Sequence, residues 1–174
     1  CEIDWAEPDY TQHQSGVLSC LDAIGAGEVY QACVCTQYTG TVSGTALDFF
    51  ADAVARIAPA RAAYLSGEWG AVASLSPELF FRREGKHVTS RPMKGTAPRG
   101  RTPREDARLK TWLTVDEKQR AENLMIVDLL RNDLGRIAKI GSVEVTDLFT
   151  VETYRTVHQM TSGITAELRA DMGL

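Results

Sequence analysis

Long apolar runs are missing from this sequence of 174 residues. The longest, Leu124 to Leu130, is broken by Asp128 and is far shorter than the roughly 20 residues that cross a bilayer, which excludes a membrane-spanning helix. The start, Cys1-Glu2-Ile3-Asp4, has neither the basic segment nor the apolar core of a secretion signal and no initiator Met, so a piece cut from a longer chain is expected. Four cysteines (Cys1, Cys20, Cys33, Cys35) are too few and too irregular for a disulfide scaffold. Cys33 and Cys35 also lack the two-residue gap of a redox or zinc pair, so reduced thiols in a cytoplasmic protein are expected. Gly25-Ala26-Gly27 lacks the spacing of a nucleotide-binding loop, and no repeat, low-complexity tract or linker is present.

What is present is an ordinary globular composition, 44% hydrophobic and 24% charged, in a chain long enough for one domain. The net charge of −4 is unevenly spread. Residues 82–110 hold ten Lys or Arg against Glu84, Glu105 and Asp106, a local +7 that leaves −11 for the rest. A basic patch in an acidic protein suits a small anionic ligand better than a nucleic-acid backbone, although a solvated charged face is equally compatible with it.

Tyr10, Val17, Leu21 and Ile24 recur at helical intervals before Gly25 and Gly27, and Leu47, Phe50, Val54 and Ile57 do the same before Pro59, predicting two helices. Between them Val29 to Tyr38 reads as a strand. Ala62–Leu65, Ala71–Leu75, Leu79–Arg83 and His87–Arg91 read as an antiparallel meander, the last two joined by a turn at Glu84-Gly85. Gly95 to Thr102 reads as a loop before a helix around Arg104 to Leu113. Thr114 and Glu117 form a capping-box signature for a further helix to about Asn132, stopped by Gly135. Strands at Val143–Val145 and Thr156–Leu168 complete an α+β fold, an antiparallel sheet with packed helices.

Single residues carry little chemistry by themselves. Lys94 in a turn is usually a surface charge, His158 in a strand is usually a hydrogen-bonded core imidazole, and Glu78 after Pro77 is unspecific. Glu122 is more pointed: its helical neighbours Lys118, Met125 and Ile126 set a carboxylate beside an apolar stripe, where it is a candidate ligand for a hard cation such as Mg²⁺.

Read together, several segments resemble the chorismate-utilising enzymes. These are Gly27-Glu28-Val29-Tyr30-Gln31, Ser76-Pro77-Glu78-Leu79-Phe80, Arg91-Pro92-Met93-Lys94-Gly95-Thr96, Arg120-Ala121-Glu122-Asn123, Asp128 through Arg136, and His158-Gln159-Met160, all in family order. The resemblance runs from about Tyr10 to Leu168. Within the family, anthranilate-forming members have Ala where Lys94 stands, whereas aminodeoxychorismate-forming members have Lys. The resemblance therefore implies that the Lys94 amine attacks C2 of chorismate with loss of the C4 hydroxyl, and that ammonia then enters at C4 and displaces the enzyme. It assigns Glu78 as the proton donor to the leaving hydroxyl, His158 as the histidine near that hydroxyl, Glu122 as one Mg²⁺ carboxylate, and Thr96 and Gln31 to substrate specificity. Water-using relatives carry Lys where Gln31 stands, so Gln31 points to ammonia, supplied by a glutamine amidotransferase.

The same resemblance implies that these 174 residues are a middle piece of a chorismate-binding catalytic domain, because family members continue through a Gly-Ala-Pro-Lys segment to a second metal carboxylate. The isolated chain is expected to have no turnover. An anthranilate-forming relative and a non-catalytic binding piece are the competing expectations.

Overall fold

The computed structural model describes residues 2–172. They divide into two compact units: one holds the chain up to Arg56 with Tyr64–Ala73, the other Ile57–Ala63 with everything from Ser74 onward. No linker or composition change in the sequence marks this division.

The first unit contains β1 (Ile3–Ala6), α1 (Tyr10–Gly25), β2 (Thr39–Val42) and α2 (Ala46–Ile57). Asp9 caps α1, its Oδ1 accepting from Thr11 N (3.0 Å) and Gln12 N (3.1 Å). Thr45 and Asp48 cap α2 reciprocally: Asp48 N donates to Thr45 Oγ1 (3.1 Å) and Thr45 N to Asp48 Oδ2 (3.0 Å). Both predicted helices are thus present. The predicted strand Val29–Tyr38 is not, since residues 31–38 are irregular and only Thr39–Val42 pairs, antiparallel, with β1. β-propensity yields a strand only where a ladder partner lies alongside, and no described strand offers one to this segment. Cys33 and Cys35 lie within it as free thiols, Sγ to Sγ 3.9 Å.

β3 (Arg61–Gly67) and β4 (Gly70–Ser76) form a separate two-stranded hairpin. The expected meander therefore breaks at Pro77, and β5 (Leu79–Glu84) opens a new five-stranded sheet with β6 (His87–Arg91), β7 (Met93–Pro98), β8 (Glu144–Thr153) and β9 (Val157–Glu167). In that sheet β9 is central. β8 runs along one edge of it, while β6 and β7 share the other, β6 pairing with residues 164–167 and β7 with residues 157–161. Buried Pro92 separates these two strands, and its carbonyl accepts from Ser162 N at 3.2 Å.

The expected loop from Gly95 begins instead as strand β7, because β9 supplies its ladder. The register slips by one residue between Met93 and Thr96, a bulge at Gly95 with φ of 105°. Only glycine suits this position: a Cβ would lie 3.2 Å from both Met160 Cβ and Gln119 Oε1.

Two helices cover one face of the sheet, α3 (Pro103–Val115) and α4 (Glu117–Ile137). Asp116 is at once the C-cap of α3 and the N-cap of α4, its carboxylate accepting from Gln119 N (3.0 Å). The Thr114 capping box does not form, because the Thr114 hydroxyl donates to Thr111 O at 2.7 Å. Gly135 does not stop α4 either; no atom lies within 4 Å of where its Cβ would be, and the helix continues to Ile137. Val127, Leu130, Leu134 and Ile137 step along α4 onto Val88, Ile164, Ala166 and Leu168 of the sheet side, and a second cluster joins Leu113 to Ala97 and Met160. These contacts bury the even-numbered face of β9.

The bulge supports a direct test. Gly95→Ala is expected to destabilise the protein by about 1–3 kcal/mol in urea denaturation, the usual cost of a side chain at positive φ.

Candidate functional site

Three polar networks are built on β9, and the positions of the second unit with a predicted role lie in or beside them. The first is buried. Asn123, wholly enclosed on α4, donates through Nδ2 to the Lys94 carbonyl (3.2 Å) and the Met160 carbonyl (3.4 Å). Its Oδ1 accepts from the Ser162 hydroxyl (2.6 Å), and Ser162 Oγ accepts from Phe149 N (3.1 Å). Phe149 reaches that bond from a left-handed backbone, φ 58°, in a bulge of β8, with its ring 4.7 Å beneath the Arg120 guanidinium. Every side-chain polar atom of Asn123 is therefore used, and the strand carrying Lys94 is tied to the helix carrying Glu122.

Lys94 and Glu122 themselves are both half-buried, and neither side chain has an ion-pair or hydrogen-bond partner among the described residues. Glu122 is a single carboxylate, and no group of three acidic, His or Cys side chains among the described residues forms a metal cage. Mg²⁺ commonly uses one or two protein carboxylates and completes its shell with substrate oxygens and water, a donor set that Glu122 fits.

Glu78 stands at the mouth of β5, where its Oε1 accepts from Met93 N at 2.9 Å, next to Lys94. It is exposed in this chain, so the burial expected of a proton-holding carboxyl is not supplied here. Thr96 donates to Gln159 Oε1 (3.0 Å) on the face of β9 away from the helices. His158 is on the opposite face, paired across the ladder with Ala97, so the fold does not bring the Thr96 hydroxyl and the His158 ring to one side of the sheet. Gln31 belongs to the first unit, half-buried in the irregular segment after α1.

The second network surrounds His158, whose side chain is 1% exposed. Its Nε2 lies 2.9 Å from Asp106 Oδ1 and its Nδ1 lies 3.1 Å from Thr153 Oγ1. Arg99 grips the same Asp106 in a two-pronged pair, Nε to Oδ1 at 2.7 Å and Nη2 to Oδ2 at 2.9 Å, and its Nη1 donates to Tyr154 O at 2.6 Å. Gly100 N adds a fourth donor at 2.8 Å, and a Cβ on Gly100 would run into the Asp106 backbone. The Arg99 guanidinium first, then the Gly100 amide, hold the Asp106 carboxyl well below the usual carboxylate range.

The third network is on the opposite face. Arg91 donates to Asp147 Oδ2 (2.9 Å), Glu152 Oε1 (3.0 Å) and Thr161 Oγ1 (3.2 Å), and Tyr154 donates to Glu152 Oε2 (2.5 Å). Burial and the Glu152 carboxylate push the Tyr154 phenol up to about 12. For Glu152 itself burial works upward, but the Tyr154 hydroxyl and Arg91 outweigh it and leave its carboxyl below the ordinary value. Arg91 and Arg99, two cations of the basic stretch, are thus consumed internally, while Arg101, Arg104, Arg108 and Lys110 remain exposed.

Sequence reading missed Asn123, Asp106 and Arg99. A signal exists for the first two. Asn123 precedes Val127, Leu130 and Leu134 in the buried stripe of α4, and Asp106 precedes Leu109 and Leu113 on the inward side of α3, so each is a polar residue at an apolar helical position. Nothing local marks Arg99.

Two outcomes follow for these networks. Asn123→Ala leaves the Ser162 hydroxyl and the Lys94 carbonyl without their buried partner and is expected to cost about 1–3 kcal/mol in thermal or urea unfolding. Because the Asp106 carboxyl is depressed in the folded state, its contribution is complete above the unfolded value of about 4 and is lost as pH falls through the folded one. Asp106→Asn should therefore be less stable than the parent sequence at pH 7, with the difference shrinking between pH 5 and pH 2 in pH-resolved urea denaturation.

Comparison with known proteins adds an independent line. The sequence model for chorismate binding enzymes matches residues 3–174. The chain is 49% identical over 155 residues to an aminodeoxychorismate synthase of Streptomyces griseus, covering 87% of this chain and 21% of that protein. It is 40% identical over 167 residues to aminodeoxychorismate synthase component 1 of Escherichia coli K12, covering 95% and 37%. The crystal structure of anthranilate synthase component I from Streptococcus pneumoniae TIGR4 superposes with a TM-score of 0.86 at 28% identity, over 99% of this chain and 38% of that one. The chain thus spans between about a fifth and two fifths of the length of these relatives. With the α+β architecture expected from its motifs and a match along almost its entire length, the chain belongs to the chorismate-binding enzyme family.

Proposed function

We propose that this chain is the part of an aminodeoxychorismate-forming enzyme that carries the attacking lysine. One observation supports this most: the Asn123 carboxamide ties the strand of Lys94 to the helix of Glu122, setting two half-buried, unpartnered charges of opposite sign on adjoining segments. Identities of 49% and 40% to relatives named aminodeoxychorismate synthase favour this product over anthranilate.

In this reading the neutral Lys94 amine adds to C2 of chorismate, both ring double bonds shift along C1, C6 and C5 to C4, and the C4–O bond breaks with a proton from Glu78, releasing water. Ammonia then adds at C4, the C2–N bond breaks, and Lys94 leaves with the electron pair, giving 4-amino-4-deoxychorismate for 4-aminobenzoate and folate synthesis. The attacking species is the neutral amine, which a lysine free in water supplies only as a small fraction at pH 7. Glu122 would hold Mg²⁺, whose charge would neutralise the substrate carboxylate. Thr96 and Gln31 bear on substrate specificity, Gln31 in favour of ammonia over water, and His158 serves the C4 hydroxyl. The ammonia comes from a glutamine amidotransferase, and the enzyme works in the cytoplasm, where its described cysteines stay as thiols.

The protein expressed from the whole reading frame that holds this chain, given chorismate, Mg²⁺ and an ammonium salt, should yield aminodeoxychorismate by mass spectrometry. Lys94→Ala should lower that yield by roughly two orders of magnitude or more. Unchanged output from Lys94→Ala sinks the nucleophile assignment, and fluorescent anthranilate from the parent sequence sinks the product.

A further inference from the structure

The proposed role for His158 leaves a geometric problem, because the ring is 1% exposed and both its nitrogens are already engaged. We infer that Asp106 is the positioning residue for His158: its carboxylate takes the Nε2–H and leaves Nδ1, against the Thr153 hydroxyl, as the nitrogen that gains and loses a proton. The inference rests on the reading that His158 serves the C4 hydroxyl of chorismate.

The donors around Asp106 decide the assignment. A carboxylate that already accepts from Arg99 Nε, Arg99 Nη2 and Gly100 N offers the ring only lone pairs, so Nε2 must carry the hydrogen. In the neutral ring Nδ1 is then bare and accepts from the Thr153 hydroxyl at 3.1 Å. When the ring is protonated, Nδ1–H donates to the same oxygen and the hydroxyl hydrogen turns outward, which the exposed position of Thr153 permits. Neither state strands a buried polar atom, so the charge of His158 can change without the local collapse that an unsatisfied donor would cause. The groups that face the ring are Asp106 of α3, Arg99 from the β7–α3 connection and Thr153 of β8; from β7 it meets Ala97, which is apolar. Arg99 is the second half of the device, since it aligns the Asp106 carboxylate and balances its charge.

The test is the protonation pattern of the ring in the ¹⁵N-labelled protein expressed from the whole reading frame that holds this chain. Long-range ¹H–¹⁵N spectra at neutral pH should show His158 as a single Nε2–H form whose hydrogen exchanges slowly, whereas the less enclosed His13 and His87 average both tautomers. A neutral His158 carrying its hydrogen on Nδ1, or averaging both, overturns the inference without any variant being made. Asp106→Asn should restore averaging and speed Nε2–H exchange at least tenfold, and an unchanged pattern in a folded Asp106→Asn protein also overturns it. Should that variant unfold, Thr153→Val is the alternative: the Nε2–H form should persist while Nδ1 loses its partner and shifts.

A kinetic arm uses the protein from the whole reading frame. Asp106→Asn should lower kcat for chorismate about tenfold or more with KM within about threefold, as for a residue that orients an acid–base group. A change in KM alone would assign Asp106 to the fold and not to His158. These outcomes separate from the proposed function: if the parent sequence forms no aminodeoxychorismate, that reading fails, while the ring spectra still decide the tautomer.

Discussion

Strand β9 must satisfy every polar side chain that it turns toward the helices, and that constraint organises the second unit. Its even-numbered face alternates apolar residues, Met160, Ile164 and Ala166, with His158 and Ser162, all of them buried. Water cannot reach these two polar residues, so α3 and α4 supply the partners: Asp106 for His158 and Asn123 for Ser162. Among the described residues no buried side-chain nitrogen or oxygen is left without a partner. Each partner then links outward, Asp106 to Arg99 and Asn123 to the Lys94 carbonyl. The polar face of one strand thus sets where the lysine strand, the glutamate helix and the β7–α3 connection lie.

The same arrangement explains why the segment around Lys94 is strand and not loop. Gly95, Pro92 and Pro98 break the local pattern so thoroughly that no periodicity survives, yet β9 supplies a ladder on one side and Asn123 a clamp on the other. A glycine bulge absorbs the mismatch at positive φ. The backbone at Lys94 is thereby held from both sides.

Charge is arranged on the same logic. The basic stretch seen in the sequence is not one surface: Arg91 is spent on Asp147 and Glu152 on one face of the sheet, and Arg99 on Asp106 on the other. Lys94 alone among the cations with a predicted role is half-buried without a partner among the described residues, and Glu122 is its anionic counterpart. An even distribution of ion pairs would have neutralised both.

The sequence by itself determined the α+β class, the helices α1, α2, α3 and most of α4, and the membership of Lys94, Glu122 and His158 in one ordered set of motifs, because helical spacing and short motifs are local properties of the chain. The tertiary structure alone decided that Val29 to Tyr38 stays irregular, that the strand run breaks at Pro77, that Asp116 and not Thr114 caps α4, and that Thr96 and His158 take opposite faces of the sheet. Those outcomes depend on which strand lies alongside which, and ladder partners are set by residues far apart in sequence. The pairing of His158 with Asp106 across 52 positions is of the same kind: the residue types are visible in the chain, but only folding brings a carboxylate within 2.9 Å of a buried imidazole.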